Sequence, residues 1–318
     1  MIILTLFIFN LLAEVPIWAK VVDDFDECSK FFYKGKEPQG MDQNGKKICQ
    51  QYENGGNFYA SLYSTFHKIP VYSAYTFDPT CSNHDGEKSG FWFIEPQVKR
   101  LSFWGIQTLN KKTSLSGEKS FIIYSLQMNT EIYVYSFNYD RDAIKSKQAV
   151  NDDYSNTGYD RGQLNPNGFQ CNEGRAATFT LTNSVPMGAC FNPVHWKHWE
   201  GAVKDILKAQ PKGGTAYLVT GTVPSRVTVP THVWTAVCYK HNVNEELSFS
   251  FGYIGLNQPD SRINVKTVPQ LNNQLSTLYQ ISEVKIFIDD CFSEKRKTED
   301  IVILQENPAT YDSRTGHV

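Results

Sequence analysis

The tripeptide Asp160-Arg161-Gly162 combines residue types suited to holding a phosphate. The donors of an arginine side chain form a rigid fork that matches phosphate oxygens, and the glycine predicts a tight turn that fixes this fork. Arg161 is therefore our candidate phosphate clamp. The alternative is a turn with a structural Asp-Arg pair, because a three-residue pattern is weak by itself.

A second set of polar residues follows at defined spacing. Asn192 comes nine positions after Asn183, Trp196 four positions after Asn192, and Glu200 eight positions after Asn192. Taken singly, Asn192 is typical of a helix N-cap and Glu200 of an exposed helix carboxylate.

Local patterns predict the elements that carry these residues. Alternating threonines from Ala177 to Thr182 predict a half-buried strand that ends at Asn183. Asn192-Pro193 predicts a helix start, and apolar residues continue at helical spacing to Leu207. The helix is expected to end near Gln210-Pro211.

Together with the tripeptide, this spacing resembles the DNA/RNA non-specific endonucleases, the ββα-metal nucleases, whose signature is Asp-Arg-Gly-His followed by a metal-binding Asn. The resemblance covers most of residues 25 to 295 and implies an α+β fold with antiparallel sheets flanked by helices. It implies that Asn192 binds Mg²⁺ or Mn²⁺ and that Glu200 holds a metal-bound water. It further implies that Arg161 binds the DNA or RNA backbone, and that Arg161, Asn183 and Glu200 belong to the catalytic set.

Gln163 departs from this pattern, because it occupies the position of the family's catalytic histidine. A carboxamide cannot take up a proton from water near neutral pH, and loss of a general base costs on the order of 10²–10⁴ in rate. Two functions stay open: a metal-dependent endonuclease impaired by Gln163, and an inactive pseudo-nuclease that binds nucleic acid or a partner. His195 and His198 are candidate substitute bases, with packing or surface histidines as the preferred interpretation.

Composition and charge are those of a globular protein. The 318 residues are 41% hydrophobic and 14% aromatic, and the formal net charge is -2. Without a global basic field, nucleic-acid binding must come from local clusters such as 111–112, 145–147 and 295–297, whose alternative is a solvated loop.

The N-terminus and the cysteines both favour export. Residues 1–20 resemble a signal peptide with cleavage near Ala19, although an uncleaved anchor is the alternative; one endonuclease-like domain is expected over 22–318. Seven cysteines permit three disulfides and one thiol in an oxidising, secretory compartment. Neighbouring positions suggest the pairs 28–49, 171–190 and 238–291, with Cys81 unpaired, but other pairings stay open.

The remaining patterns predict a largely β chain. Strands are expected on both sides of a turn in 58–77, in 91–103, as a hairpin around Asn129-Thr130, and in the stretches 215–224, 229–239, 247–256 and 284–289. The tail from Phe292 is charged and carries no motif.

Overall fold

The architecture was obtained as a computed structural model, which describes residues 20–41, 44–52, 56–81, 91–95, 128–136, 140–225 and 228–303. The described strands are β1 (Lys20–Val22), β2 (Lys46–Gln50), β3 (Tyr59–Ser64), β4 (Ile69–Phe77), β5 (Phe93–Ile94), β6 (Asn129–Thr130), β7 (Tyr159–Gln163), β8 (Ser184–Gly188), β9 (Gly214–Val223), β10 (His232–His241), β11 (Phe249–Leu256) and β12 (Ile263–Lys266).

The described α-helices are α1 (Glu131–Ser136), α2 (Arg141–Lys145), α3 (Asn172–Ala177), α4 (Lys197–Lys208), α5 (Val268–Tyr279) and α6 (Arg296–Ile303). A π-helical turn at Phe191–Trp196 leads into α4. Local chemistry explains α5 well: Thr267 caps its N-terminus in a capping box with Gln270, and Gln280 ends it in the left-handed conformation. None of the helices in the described ranges is both long and apolar enough to cross a bilayer.

Eight strands form one antiparallel sheet in the order β1-β2-β3-β4-β9-β10-β11-β12. Both faces of its centre are covered, which explains why β10 is almost continuously apolar. Trp234 and Cys238 pack on one face with the N-terminal arm and α5, whereas Val233 and Val237 pack on the other.

The second face of the sheet carries a unit of two strands and one helix. β7 and β8 pair antiparallel, with Gly162 opposite Val185, and the chain then passes through the π-helical turn into α4. A Cβ on Gly162 would lie 2.3 Å from the Met187 sulfur, so the close approach of β8 requires glycine there. Buried Met187 and Trp196 anchor the unit to the sheet.

A separate small core supports the outer side of β7. Ile94, Val134, Ile144, Val150, Tyr154 and Leu181 are buried in it, together with Ala149. It joins β5, α1 and α2 to the segment that precedes β8. This core is important for the site because Tyr154 and the neighbouring Trp92 contact Arg161.

Several strand predictions match the structure: β3 and β4 meet at a turn, and β9, β10 and β11 form in the expected stretches. The predicted helix ends as expected, at Lys208. Two predicted positions differ in detail. Residues 160–162 lie within β7 instead of a tight turn, and Val194 is exposed on the π-helical turn.

Three strand predictions are wrong. The expected hairpin around Asn129-Thr130 ends in helix α1, because the small core takes Val134 while Ile132 stays exposed; residues 121–127 lie outside the described ranges. Residues 284–289 make one bridge, Lys285 with Gln39, and no further ladder. Val284, Ile286 and Phe287 bury their side chains, whereas Ile288 is exposed.

The third error concerns residues 177–182, which were expected to form a strand. They turn instead, and the strand begins at Ser184. The hydroxyl of Thr178 donates to the Arg175 carbonyl, and that of Thr180 donates to the Phe93 carbonyl. Such bonds from threonine to the backbone compete with a sheet ladder, and they stabilise the turn here.

The disulfides correct part of the predicted pairing. Cys28–Cys49 and Cys238–Cys291 form as expected. Cys171 pairs with Cys81 and not with Cys190, so Cys190 is the free, exposed cysteine. The Cys81–Cys171 bridge closes a loop of sequence separation 90 and fastens the start of α3 to the end of β4.

We expect alkylation of the non-reduced, native protein to label Cys190 alone. Its thiol is exposed while the other six cysteines are oxidised. Peptide mass mapping checks this result, with a Cys190→Ser variant as the control that takes no label. Labelling of Cys81 would show that the described pairing does not form.

Candidate active site

A cleft of about 500 Å³ opens between β7 and α4. Its lining residues are Arg161, Gln163, Pro166, Asn167, Gly168, Phe169, Arg175, Asn192, Lys197, Glu200, Gly201 and Lys204. The structure thus brings together four of the five site residues expected from the sequence: Arg161, Gln163, Asn192 and Glu200. Asn183 does not line the cleft.

Arg161 is held in a fixed position on β7. Its Nη2 donates to the backbone oxygen of Asn151 at 3.3 Å and to the side-chain oxygen of Asn151 at 3.2 Å. The guanidinium carbon lies 5.1 Å from the Tyr154 ring centre and 5.7 Å from that of Trp92. Aromatic faces attract a guanidinium. The fork is therefore oriented before any ligand arrives, as a phosphate clamp requires.

Gln163 uses both ends of its carboxamide. Nε2 donates to the Thr178 carbonyl at 2.9 Å and to the Thr178 hydroxyl at 2.8 Å, while Oε1 accepts from Asn167 Nδ2 at 2.7 Å. The carbonyl of Thr178 can only accept, which fixes the orientation of the amide. Gln163 is a braced side chain at the floor of the cleft, and it carries no group that takes up a proton at neutral pH.

Asn183 is fully buried behind the cleft. Its Oδ1 accepts from the Ser73 hydroxyl and the Asn165 amide, both at 2.9 Å. Its Nδ2 donates to the carbonyls of Asn165 and Thr178, both at 3.0 Å. Thr178 is also the partner of Gln163, so Asn183 positions the residue that orients Gln163. All these contacts are with protein atoms, and the catalytic role expected for Asn183 stays a prediction.

Asn192 lies on the π-helical turn, where expanded helical turns are often found at functional sites. Its Nδ2 donates to Asp160 Oδ2 at 3.3 Å. A carboxylate oxygen only accepts, so this bond directs the amide nitrogen to Asp160 and leaves Oδ1 as the acceptor atom for the cleft. A neutral amide oxygen of this kind fits a hard cation such as Mg²⁺ that keeps several waters.

A different cluster does not fit a metal. Asp78, Cys81 and Cys171 place three potential ligand atoms within 4.8 Å of one another. Both sulfurs are joined in a disulfide and cannot act as thiolate ligands.

Glu200 lies half-buried on α4, two turns after Asn192. Burial raises the pKa of its carboxyl to about 8, opposed by the Trp196 indole and by the positive charge of Lys197. The Trp196 Nε1 is buried and has no hydrogen-bond partner among the described residues. A half-buried carboxyl that lines the cleft is compatible with the water-holding role expected for Glu200.

Neither of the two histidines on the π-helical turn and α4 contributes to the cleft. The Nε2 of His195 bonds to the Pro259 carbonyl at 2.9 Å, and His198 is exposed. Neither lines the cleft. The structure gives no support to a base that has moved to these positions.

Three cleft residues were missed by sequence reasoning: Arg175, Lys197 and Lys204. Helical spacing contained a signal for two of them, since Lys197 and Lys204 share one face of α4 with Glu200. Arg175 had no such signal. It reaches the cleft because Gln163 of β7 bonds to Thr178 at the end of α3, a contact across 15 positions that local patterns do not contain.

A hairpin of β7 and β8 followed by α4, with an arginine, an amide and a carboxylate at one cleft, is the architecture of a ββα-metal nuclease. Residues 119–284, just over half of the chain, match the family model described as DNA/RNA non-specific endonuclease. The chain belongs to this family of metal-dependent nucleases, and the expected α+β fold with antiparallel sheets is confirmed.

The sequences of two relatives support the same assignment. Endonuclease domain-containing 1 protein of Homo sapiens is 34% identical over 222 residues, and that of Mus musculus is 33% identical over 224 residues. Each alignment covers 67% of this chain but 39% of the relative, so the chain spans well under half of their length. In the crystal structure of the EndoG/EndoGI complex, a chain with 16% identity aligns with a TM-score of 0.44, covering 72% of this chain and 86% of that one.

Proposed function

We propose that this protein is a Mg²⁺- or Mn²⁺-dependent endonuclease that acts on the backbone of DNA and RNA without sequence preference, at a rate limited by Gln163. The observation that carries the proposal is the convergence of Arg161, Asn192 and Glu200 on the cleft whose floor is Gln163. Phosphate contacts do not read sequence, which is why such a cleft suits non-specific cleavage.

Each residue has a defined part in this proposal. Arg161, oriented by Asn151 and two aromatic rings, binds a non-bridging oxygen of the scissile phosphate. Asn192 presents Oδ1 to the cation because Asp160 holds its Nδ2. Glu200 orients water in the cleft. A bound divalent cation would supply Lewis-acid stabilisation of the phosphate and the leaving oxygen.

Gln163 can orient the attacking water but cannot accept its proton. Its Oε1 accepts a hydrogen bond from Asn167 and retains a second lone pair for a water molecule. Proton removal is then left to solvent, which costs on the order of 10²–10⁴ in rate.

The hydrogen bonds of Gln163 also favour a second candidate function, that of a pseudo-nuclease. Thr178 and Asn167 hold the Gln163 side chain in place, so the cleft can be ordered without catalysing a reaction. The protein would then bind nucleic acid or a partner through an intact cleft. Three disulfides and residues 1–20 support a secretory compartment in both cases, with the nuclease-like domain over 22–318.

Plasmid nicking distinguishes the two functions. We expect slow, Mg²⁺-dependent conversion of supercoiled to open-circular plasmid, which is lost in Asn192→Ala and unchanged in Asn273→Ala, an exposed asparagine on α5. EDTA should stop the reaction. Nicking that is equal in wild type and Asn192→Ala would remove this cleft from the activity, whereas no nicking at any protein concentration would support the pseudo-nuclease.

A further inference from the structure

A buried carboxyl group lies outside the cleft and has no part in the chemistry described so far. Glu95 directly follows β5 and is 1% exposed. Its Oε1 accepts from Gln50 Nε2 of β2 at 2.9 Å, and the Thr180 hydroxyl lies 3.4 Å from the same oxygen. No cation within the described ranges forms an ion pair with this carboxyl. An ionised carboxylate in such a place is costly.

Two buried oxygen atoms of the Glu95–Gln50 pair lack a hydrogen-bond donor. They are Oε2 of Glu95 and Oε1 of Gln50, and neither has a partner in the described part of the chain. The amide orientation is fixed, because Gln50 Nε2 also donates to the Gln51 carbonyl at 3.2 Å, and a carbonyl only accepts. A proton on Glu95 Oε2 turns one of the two acceptors into a donor for the other. One proton thereby closes a ring of two hydrogen bonds between an acid and an amide.

The surroundings of Glu95 favour this neutral acid. Burial raises the pKa of Glu95 to about 8, opposed by the hydrogen-bond contacts of Gln50 and Thr180. Tyr59 of β3 is an ionisable group whose titration responds to the Glu95 charge. Burial raises the pKa of Tyr59 well above its usual value, so this side chain is neutral too. Glu95 is therefore mainly protonated at pH 7.

Glu95 also lies where the two segments that orient Arg161 meet. It comes three residues after Trp92, one of the two rings beside the Arg161 guanidinium. Its backbone N–H donates to Gln148 Oε1 at 2.9 Å, and its carbonyl accepts from Gln148 Nε2 at 2.6 Å. Gln148 is fully buried and precedes Asn151, the hydrogen-bond partner of Arg161, by three residues. The main chain at Glu95 thus joins both supports of the clamp.

The Glu95 side chain connects this junction to the eight-stranded sheet. Gln50 belongs to β2, a strand of that sheet, whereas β5 belongs to the small core. The ring between the acid and the amide therefore holds the small core, and with it Trp92, against the sheet. Without the proton, a buried negative charge faces an amide oxygen that has no donor, and the two side chains repel each other.

We propose that Glu95 is a positioning residue for the Arg161 phosphate clamp: as a neutral acid it closes a two-bond ring with Gln50, and loss of its proton to solvent opens this ring and weakens the clamp. The inference rests on the proposed function, because Arg161 is the phosphate-binding group of that function. It adds a regulation of the site by pH, with full phosphate binding below about pH 8 and weaker binding above it.

The same proton affects stability. Between the ordinary pKa of 4.5 and the raised value of about 8, the folded protein retains a proton that the unfolded chain has lost. The stabilisation from Glu95 is therefore fully present below pH 4.5, declines as pH rises, and is lost by about pH 8.

The protonation state can be measured directly by ¹³C NMR of protein labelled at the glutamate side-chain carboxyl carbons. We expect a signal that titrates near pH 8 and is absent in Glu95→Gln. The signal of Glu200 in the cleft remains in this variant, which separates the two carboxyls. A Glu95 signal that titrates near the ordinary value of 4.5 would overturn the proposal.

The positioning role is tested by the pH dependence of binding, with a rhodamine-labelled single-stranded oligonucleotide in EDTA at constant ionic strength. Wild-type affinity should fall by about tenfold as pH rises through the Glu95 pKa of about 8, the usual effect of losing a charge-assisted hydrogen bond. Glu95→Gln should remove most of this fall, because its amide can donate to Gln50 Oε1 at every pH. Arg161→Ala should bind weakly at low pH and show little further fall.

Two matched variants control for other carboxyls. Glu173→Gln changes an exposed carboxyl on α3 and should keep the wild-type fall. Glu131 of α1 accepts from the Asn151 backbone N–H, and burial raises its pKa as well. If Glu131→Gln removes the fall and Glu95→Gln does not, Glu131 is the titrating group and the proposal is overturned.

Thermal melting shows whether Glu95→Gln folds. If it does not, the exchanged pair, Gln50→Glu with Glu95→Gln, decides. This double variant keeps one acid and one amide at the two positions, so it should retain the wild-type fall, and a constant affinity would contradict the proposal.

The outcomes separate this proposal from the proposed function. If Arg161→Ala weakens oligonucleotide binding while Glu95→Gln shows the same fall with pH as wild type, Glu95 has no positioning role and the nuclease cleft stands. If wild type binds no oligonucleotide at any pH, both proposals fail, whatever the titration of Glu95.

Discussion

Gln163→His should raise Mg²⁺-dependent cleavage of both DNA and RNA by at least about a hundredfold, the low end of a general base's contribution. The Thr178 carbonyl that now accepts from Gln163 Nε2 is available to accept from one ring nitrogen of the histidine. This bond would select the tautomer whose other nitrogen accepts a proton. The orienting group for a base is therefore already present.

Initial rates of plasmid and RNA cleavage measure this gain. Gln163→Asn serves as the control, because it changes the side chain without adding a titratable group. A Gln163→His variant that folds and binds metal but cleaves no faster would mean that the missing base does not limit the protein.

Asn183→Ala should destabilise the protein by about 2–4 kcal/mol. The substitution removes hydrogen bonds to Ser73, Asn165 and Thr178 and leaves their buried polar groups without these partners. Urea denaturation checks the loss, with Asn273→Ala on the surface of α5 as the control expected to stay close to wild type. An Asn183→Ala protein of unchanged stability that loses cleavage would instead support the direct catalytic role expected from the sequence.

Four residues of the cleft could be predicted from the sequence because they lie in pairs, each pair on a single strand or helical segment. Arg161 and Gln163 are two apart on one strand, and Asn192 and Glu200 are two turns apart on one helical segment. Residues at such a spacing on one element stay close together after the chain folds. A structural Asp160-Arg161 pair was only the alternative to the phosphate clamp, and Asp160 instead accepts from Asn192, a contact across 32 positions that the linear pattern does not show.

The remaining features depend on long-range packing. The threonines of 177–182 alternate as in a strand, but their hydroxyls bond to the backbone and shape a turn. Cys171 was assigned to the nearer Cys190, whereas β4 brings Cys81 to it. That bridge places α3, and hence Arg175, at the cleft. Neither the presence of Arg175 in the cleft nor the burial of Asn183 could be predicted without these contacts.

The central claim is that a complete phosphodiester site, lacking only its base, lies between β7 and α4. Single-turnover cleavage by wild type, Gln163→His, Asn192→Ala and the double variant tests it most directly. We expect the gain from Gln163→His to disappear in the double variant, because both residues act in one cleft and their effects are then strongly non-additive. A gain from Gln163→His that is the same with and without Asn192 would contradict the claim.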